Sequence, residues 1–281
     1  MKKTVVLAAL LSLVTASSAL AEHKLLVTDV PEPGHVEARV DVAYSNLDGK
    51  LGGETVQDEK TAAIAAIGVG VAPGLKLSIA LPYTMVQHEI NMEAGKIIKK
   101  DGFGDLTLGA RYALTKSLVK LPFDAAVGVD WKTTTASDGE ENTGTGRNSY
   151  APYVAVSKNL HIVIPYVKYQ PEFVVKQHAG QTNHNLTLGA EIEFGHHYTL
   201  DVAAKYTAKG HGVDDAFGKE DVRSANDLEL EVAPYIEVVK NLYILPKVAY
   251  KFMGGRTLVE TGEKINKIDE YTLGLGVYYL F

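Results

Sequence analysis

Apolar side chains recur at every second position over stretches of eight to eleven residues, and the pattern repeats along the whole chain. A period of two is the signature of a strand with unlike faces. In VEARVDVAY, Val36, Ala38, Val40, Val42 and Tyr44 oppose Glu37, Arg39 and Asp41. In DLTLGARY, Leu106, Leu108, Ala110 and Tyr112 oppose Asp105, Thr107 and Arg111. Residues 123–131, 185–194, 198–206 and 271–281 alternate in the same way. Strands of a soluble sandwich average about five residues. Runs of nine to eleven match a tilted crossing of the hydrocarbon layer. Hydrocarbon offers no partner to a free N–H or C=O, so strands that cross it must close into a cylinder.

Residues 60–71, 75–83, 148–156, 161–169, 227–235 and 242–252 supply the remaining crossings, which makes twelve antiparallel strands. An even number suits a single-chain barrel. Connections alternate between short (73–74, 114–121, 157–159, 195–197, 236–241) and long (45–59, 84–102, 132–147, 170–182, 207–226, 253–269). Short periplasmic turns and longer outer loops are the expected assignment. Tyr44, Tyr83, Tyr112, Trp131, Tyr169, Tyr206, Tyr250 and Tyr279 fall near strand ends, where interface belts form. After the first residues no segment approaches 18 consecutive apolar side chains, which excludes a helical membrane protein. The chain has no cysteine, so a disulfide framework is excluded as its source of stability.

The start, MKKTVVLAALLSLVTASSALA, has two lysines, a short apolar run and Ala19-Leu20-Ala21 as a cleavage site. It predicts a signal peptide over 1–21, cut before Glu22. The exported chain then has 260 residues, with 26 basic and 34 acidic side chains and a formal charge of −8. That balance argues against nucleic-acid binding. Residues 22–34 contain Pro31 and Pro33 and read as a periplasmic or plug segment. The barrel domain spans 35–281, and its last strand ends on the aromatic Phe281.

The face away from lipid predicts a lumen lined by Glu37, Arg39, Asp41, Arg111, Asp124, Asp130, Glu191, Glu193, Asp201, Lys205, Glu229, Glu231 and Lys247, nine acids to four bases. Such charges either tune the field of a water-filled passage or cross-link and close it. Pro152, Pro165, Pro234 and Pro246 fall inside predicted strands, where a closed wall has no edge to hold them. They predict bulges or openings through which an apolar solute can leave sideways. Catalytic readings are weak. Ser149, Ser157 and His161 form no compact serine–histidine arrangement with an orienting third group. Metal binding is disfavoured at His196 and His197 in a tight turn, at His178 and His184, and at His88, Glu89 and Glu93. Asp214, Asp215, Glu220 and Asp221 read as a solvated acidic loop. The glycine-rich 139–146 stretch lacks the lysine of a phosphate loop. No cofactor is implied, and the chain reads as a non-enzyme.

The stretch Gly102-Phe103-Gly104-Asp105-Leu106-Thr107-Leu108-Gly109-Ala110-Arg111-Tyr112 resembles the outer-membrane transporter-like family associated with MetA-pathway phenol degradation. Its recognisable part is a Gly-Phe-Gly-Asp start to a strand after a long loop. The resemblance implies a channel for small hydrophobic or aromatic compounds. The terminal strand resembles the assembly signal of bacterial outer-membrane proteins, which implies the barrel-assembly machinery as a partner. The expected setting is the outer membrane of a Gram-negative-type bacterium, with its lipids around the barrel. The competing expectation is a structural or surface-interaction barrel without transport, and a less favoured one an outer-membrane hydrolase.

Overall fold

The computed structural model describes residues 27–51, 54–91, 96–114, 121–136, 143–175, 181–195, 197–214, 220–259, 262 and 264–281. The strands are β1 (Val36–Leu51), β2 (Glu54–Ala72), β3 (Leu75–Asn91), β4 (Lys96–Phe103), β5 (Thr107–Ala113), β6 (Asp124–Lys132), β7 (Asn148–Ser157) and β8 (Val163–Val175). They continue as β9 (Gln181–Phe194), β10 (Tyr198–Lys209), β11 (Gly212–Asp214), β12 (Glu220–Val222), β13 (Ala225–Val239), β14 (Leu242–Met253), β15 (Arg256–Thr257) and β16 (Lys264–Leu280). β1 pairs with both β2 and β16, so the sheet closes on itself. β4 and β5 both pair with β3 and together make one wall strand. With β11, β12 and β15 lying off the wall, twelve antiparallel strands form the barrel, as the alternation predicts.

Alternation sorts the two faces. Val40, Val42, Ile67, Leu77, Ile79, Val127, Val129, Leu188, Val232, Val248, Leu273 and Leu275 are all exposed. They form one belt on the outer surface, an arrangement stable only against lipid. Aromatic pairs border the belt on the loop side: Tyr44–Tyr271 (centroids 6.1 Å apart), Trp131–Tyr150 (6.0 Å, stacked) and Tyr83–Phe103 (5.0 Å). Tyr279 and Phe281, 4.4 Å apart, mark the opposite border. Tyr271 and Tyr279 are eight residues apart on β16, about 26 Å of strand. Tilted, that length matches the apolar band of an outer-membrane barrel.

The long outer loops expected at 45–59, 84–102 and 170–182 are largely strand. β1 and β2 stay paired out to Leu51↔Glu54, β3 and β4 to Asn91↔Lys96, and β8 and β9 to Val174↔Gln181. The apolar period stops where lipid stops, but a polar strand can keep its ladder in water. Two strands start two residues late: 105–112 begins at Thr107 and 161–169 at Val163.

Candidate functional site

The chain enters the lumen through a glycine. Gly34 (φ 87°) turns the backbone, and Gly34 and His35 bond the backbone of Gly70. A Cβ on Gly70 would come within 2.6 Å of the Pro31 carbonyl, so its absence lets Pro31 and Glu32 pass over the inner wall. Beyond it the Thr28 hydroxyl shares a 2.8 Å hydrogen bond with Ser157. Arg111 Nη1 donates to the Asp29 carbonyl at 3.1 Å, and Val27 packs on Ile164, Tyr166 and Ala203. These partners come from β5, β7, β8 and β10, so residues 27–31 lie inside the barrel. Residues 22–26 lie outside the described residues.

The middle of the lumen is cross-linked by ion pairs. Lys205 Nζ reaches Glu231 at 2.6 Å and Glu229 at 3.2 Å, and Lys247 reaches the same Glu231 at 3.5 Å. Arg39 donates two hydrogen bonds to Asp41, at 2.7 and 2.9 Å. Lys76 on β3 pairs with Glu37 on β1 across the intervening β2. Gly68 makes this reach feasible, because a Cβ there would lie 2.6 Å from Glu37 Oε1 and 2.7 Å from Lys76 Cε. Tyr166 donates to Asp201 at 2.9 Å and Tyr278 to Glu37 at 3.3 Å.

Toward the outside, the last connection folds inward. Arg256 is fully buried, and its Nη2 donates to both oxygens of Asp227 at 2.8 and 2.9 Å. Lys209 (3.6 Å) and Lys251 (4.0 Å) approach the same carboxylate. Leu258 packs on an apolar cluster of Leu47, Met253 and Ile268, and β15 pairs with β16.

Three places in the wall are irregular at proline, apart from bulges such as those at Asp48–Lys50, Thr61–Ala62 and Glu237–Val239. β7 and β8 pair at Tyr150↔Phe173 and again at Val154↔Tyr169, with unchanged register and no pairing between. That register sets Pro152 opposite Pro171. β13 and β14 pair at Val232↔Val248 and again at Ile236↔Ile244, which sets Pro234 opposite Pro246. Each proline keeps its place in the ladder on its other side (Val129↔Pro152, Pro171↔His184, Leu200↔Pro234, Pro246↔Leu275). The missing N–H groups therefore face each other across each gap. Beside the first gap, side-chain amides bond the backbone of the flanking residues: Gln170 Nε2 donates to the Ala151 carbonyl at 3.2 Å and Asn185 Nδ2 to the Gln170 carbonyl at 3.1 Å. The third place is Pro82, whose carbonyl accepts from Gly104 N at 2.9 Å where β4 gives way to β5.

By register, all thirteen charged residues singled out from sequence lie on the face opposite the apolar belt. Asp124 and Glu193 sit near the periplasmic turns, while Arg111, Asp130, Glu191, Asp201 and the residues already paired above lie deeper. Inward-facing Lys76, Lys168, Lys209, Asp227, Lys251 and Arg256 escaped the sequence reading. Lys76, Lys168, Asp227 and Lys251 lie within predicted strands on the charged phase, so the same alternation reaches them. Among the four prolines, Pro165 departs from expectation. It pairs with Ala190, and its carbonyl accepts from Lys158 N at 3.1 Å, so the ladder ends there in a turn and leaves no opening. Pro171 falls in the predicted loop 170–182, and Pro82 is next to last in the predicted strand 75–83.

The weaker chemical candidates are dispersed. Ser149 and Ser157 stand at opposite ends of β7, and His161 is exposed in the following turn. His197 meets Glu237 at 3.1 Å, His184 stacks on Tyr169, and His88 lies on strand β3 rather than a helix. His178, His196, Glu93 and Asp215 lie outside the described residues.

No family model and no curated protein sequence matches the chain, so the resemblance read at Gly102–Tyr112 rests on those residues alone. Solved structures do match in fold. The COG4313 outer membrane channel from Pseudomonas putida F1 superposes with a TM-score of 0.65 at 14% identity, over 94% of this chain and 100% of that one. The translocator domain of autotransporter NalP from Neisseria meningitidis gives 0.52 at 9% identity, over 99% and 94%. The NanC porin gives 0.50 at 12% identity, over 85% and 98%. The likeness is one of fold: an outer-membrane β-barrel.

Proposed function

We propose that this protein is a passive outer-membrane channel for small hydrophobic or aromatic compounds, with sideways release into lipid through the wall. The observation that carries the reading is the gap between β7 and β8 at Pro152 and Pro171. It lies on the lipid side of the Trp131–Tyr150 girdle, between Tyr150 and Val154, both exposed on the apolar belt. Without backbone bonds, strands part there at lower cost than where the ladder is complete. The gap at Pro234 and Pro246 differs, because Leu245, Tyr278 and Leu280 pack behind it with Tyr235 and Tyr243. The first gap is thus the exit, and the second is sealed from within. The segment at 27–31 and the Lys205–Glu231–Lys247 network obstruct a wide aqueous pore, which favours a solute that needs no continuous water column.

Replacing Pro152 and Pro171 together by valine restores both N–H groups to the ladder. In proteoliposomes this pair is expected to lower apolar-solute flux several-fold and leave small-ion conductance unchanged. Pro165→Val, at the turn where the β7–β8 ladder ends and away from the gap, is the control. Unchanged flux in the double variant counts against lateral release. A correctly folded barrel that passes no solute supports the competing view of a structural barrel.

A further inference from the structure

The gap at Pro152 and Pro171 opens on the lumen beside a ring that carries two cations. Tyr153 leans over Gly128, where a Cβ would overlap the ring. Arg111 Nε donates to the Tyr153 hydroxyl at 2.8 Å, and its guanidinium carbon is 5.8 Å from the ring centroid. The Lys168 ammonium lies 4.3 Å from the same centroid. Arg111 is further committed to the Asp29 carbonyl. Lys168 differs: among the described residues it makes neither an ion pair nor a hydrogen bond to an acceptor. The ring positions the ammonium by cation–π attraction but leaves its three N–H donors without an oxygen partner.

Of the charges around it, Asp130 attracts the ammonium without forming an ion pair with it, and the others are paired elsewhere. Asp130 accepts from Gln170 at 2.8 Å, Lys76 is paired with Glu37, and Lys205 with Glu229 and Glu231. A donor of this kind, half-buried at the mouth of a gap that leads to lipid, suits a solute with two unlike ends. We propose that Lys168 holds the carboxylate of an anionic amphiphile while its apolar body lies at the Pro152–Pro171 gap. The inference rests on the channel reading above and adds the chemistry of the solute's polar end. A charge-assisted hydrogen bond at Lys168 holds the head until the body has entered the wall.

Single-channel recording in planar bilayers with benzoate, acetate and benzyl alcohol tests it. Benzoate is expected to interrupt the wild-type current at lower concentration than acetate. Lys168→Met is expected to weaken the benzoate effect by about tenfold, the order of one lost charge-assisted hydrogen bond. Lys168→Arg keeps that effect, and the response to benzyl alcohol is the same in all three proteins. Equal benzoate block in wild type and Lys168→Met overturns the site while the channel reading stands on benzyl alcohol. Acetate acting as well as benzoate overturns the amphiphile in favour of a simple anion point. A wild-type current indifferent to both aromatic compounds overturns the channel reading and the site with it.

Discussion

Single residues decide how the lumen is held together, and Asp227 is the clearest case. Its carboxylate, 3% exposed, accepts at both oxygens from Arg256 Nη2 with Lys209 and Lys251 nearby, and it accepts from Gly254 N at 3.3 Å. Removing one partner of a buried pair costs about 3–5 kcal/mol because the other charge stays buried. The two deletions are unequal here. Asp227→Ala removes the carboxylate that balances Arg256 and leaves three cations close together, so it is expected to cost the full amount in equilibrium unfolding. Arg256→Ala leaves Asp227 with two lysines and is expected to cost less. A larger loss for Arg256→Ala would show that the lysines do not shield the carboxylate.

At the scale of elements, the Gly-Phe-Gly-Asp stretch proves to be a joint rather than a strand start. β4 pairs with β3 down to Phe103, β5 pairs with β3 from Thr107, and Gly104, Asp105 and Leu106 bridge the two. Pro82 explains the break from the other side, since it has no N–H to offer the passing strand. Gly104 fits against its ring, where a Cβ would lie 3.0 Å from Cγ. Asp105, buried at 4% exposure, accepts from Ala136 N at 3.1 Å and from Thr145 N and Oγ1 at 2.7 Å each. One side chain thus ties the connection between β6 and β7 to the joint. Hydrogen bonds to a charged group contribute roughly 1.5–3 kcal/mol each. Asp105→Ala is expected to speed protease cleavage within 133–147 while the barrel keeps its heat-modifiable migration. An unchanged cleavage rate would mean that the bonds of Thr143 to the Phe103 carbonyl and of Thr133 and Thr135 to Leu106 hold the connection without it.

For the whole molecule, the N-terminal segment and the closed wall act together. The wall supplies Ser157, Arg111 and the Ile164–Tyr166–Ala203 cluster from separate strands, and the segment joins them. Deleting residues 22–33 is expected to raise single-channel conductance several-fold, with Gly34 onward still paired to β2. Conductance that does not change would place the limiting constriction elsewhere, and the Arg256–Asp227 closure is the next candidate.

The sequence by itself determined the twelve crossings, their phase and the composition of each face. Lipid imposes these locally: a side chain facing hydrocarbon must be apolar, and its neighbour, turned the other way, need not be. The inward charges from Glu37 to Lys247 were legible for that reason. Strand length beyond the girdle was not, because nothing in the pattern of Leu47–Leu51 or Thr84–Asn91 registers a ladder formed in water. Which charges pair was also hidden, since Lys76 reaches Glu37 over a third strand. The prolines divide on the same line. Their presence in the wall is local, but whether one opens a gap depends on what stands opposite. Pro152 meets Pro171 and Pro234 meets Pro246, so both donors of a pair are lost, while Pro165 ends its ladder at a turn. Register is a property of two strands, and only the closed barrel sets it.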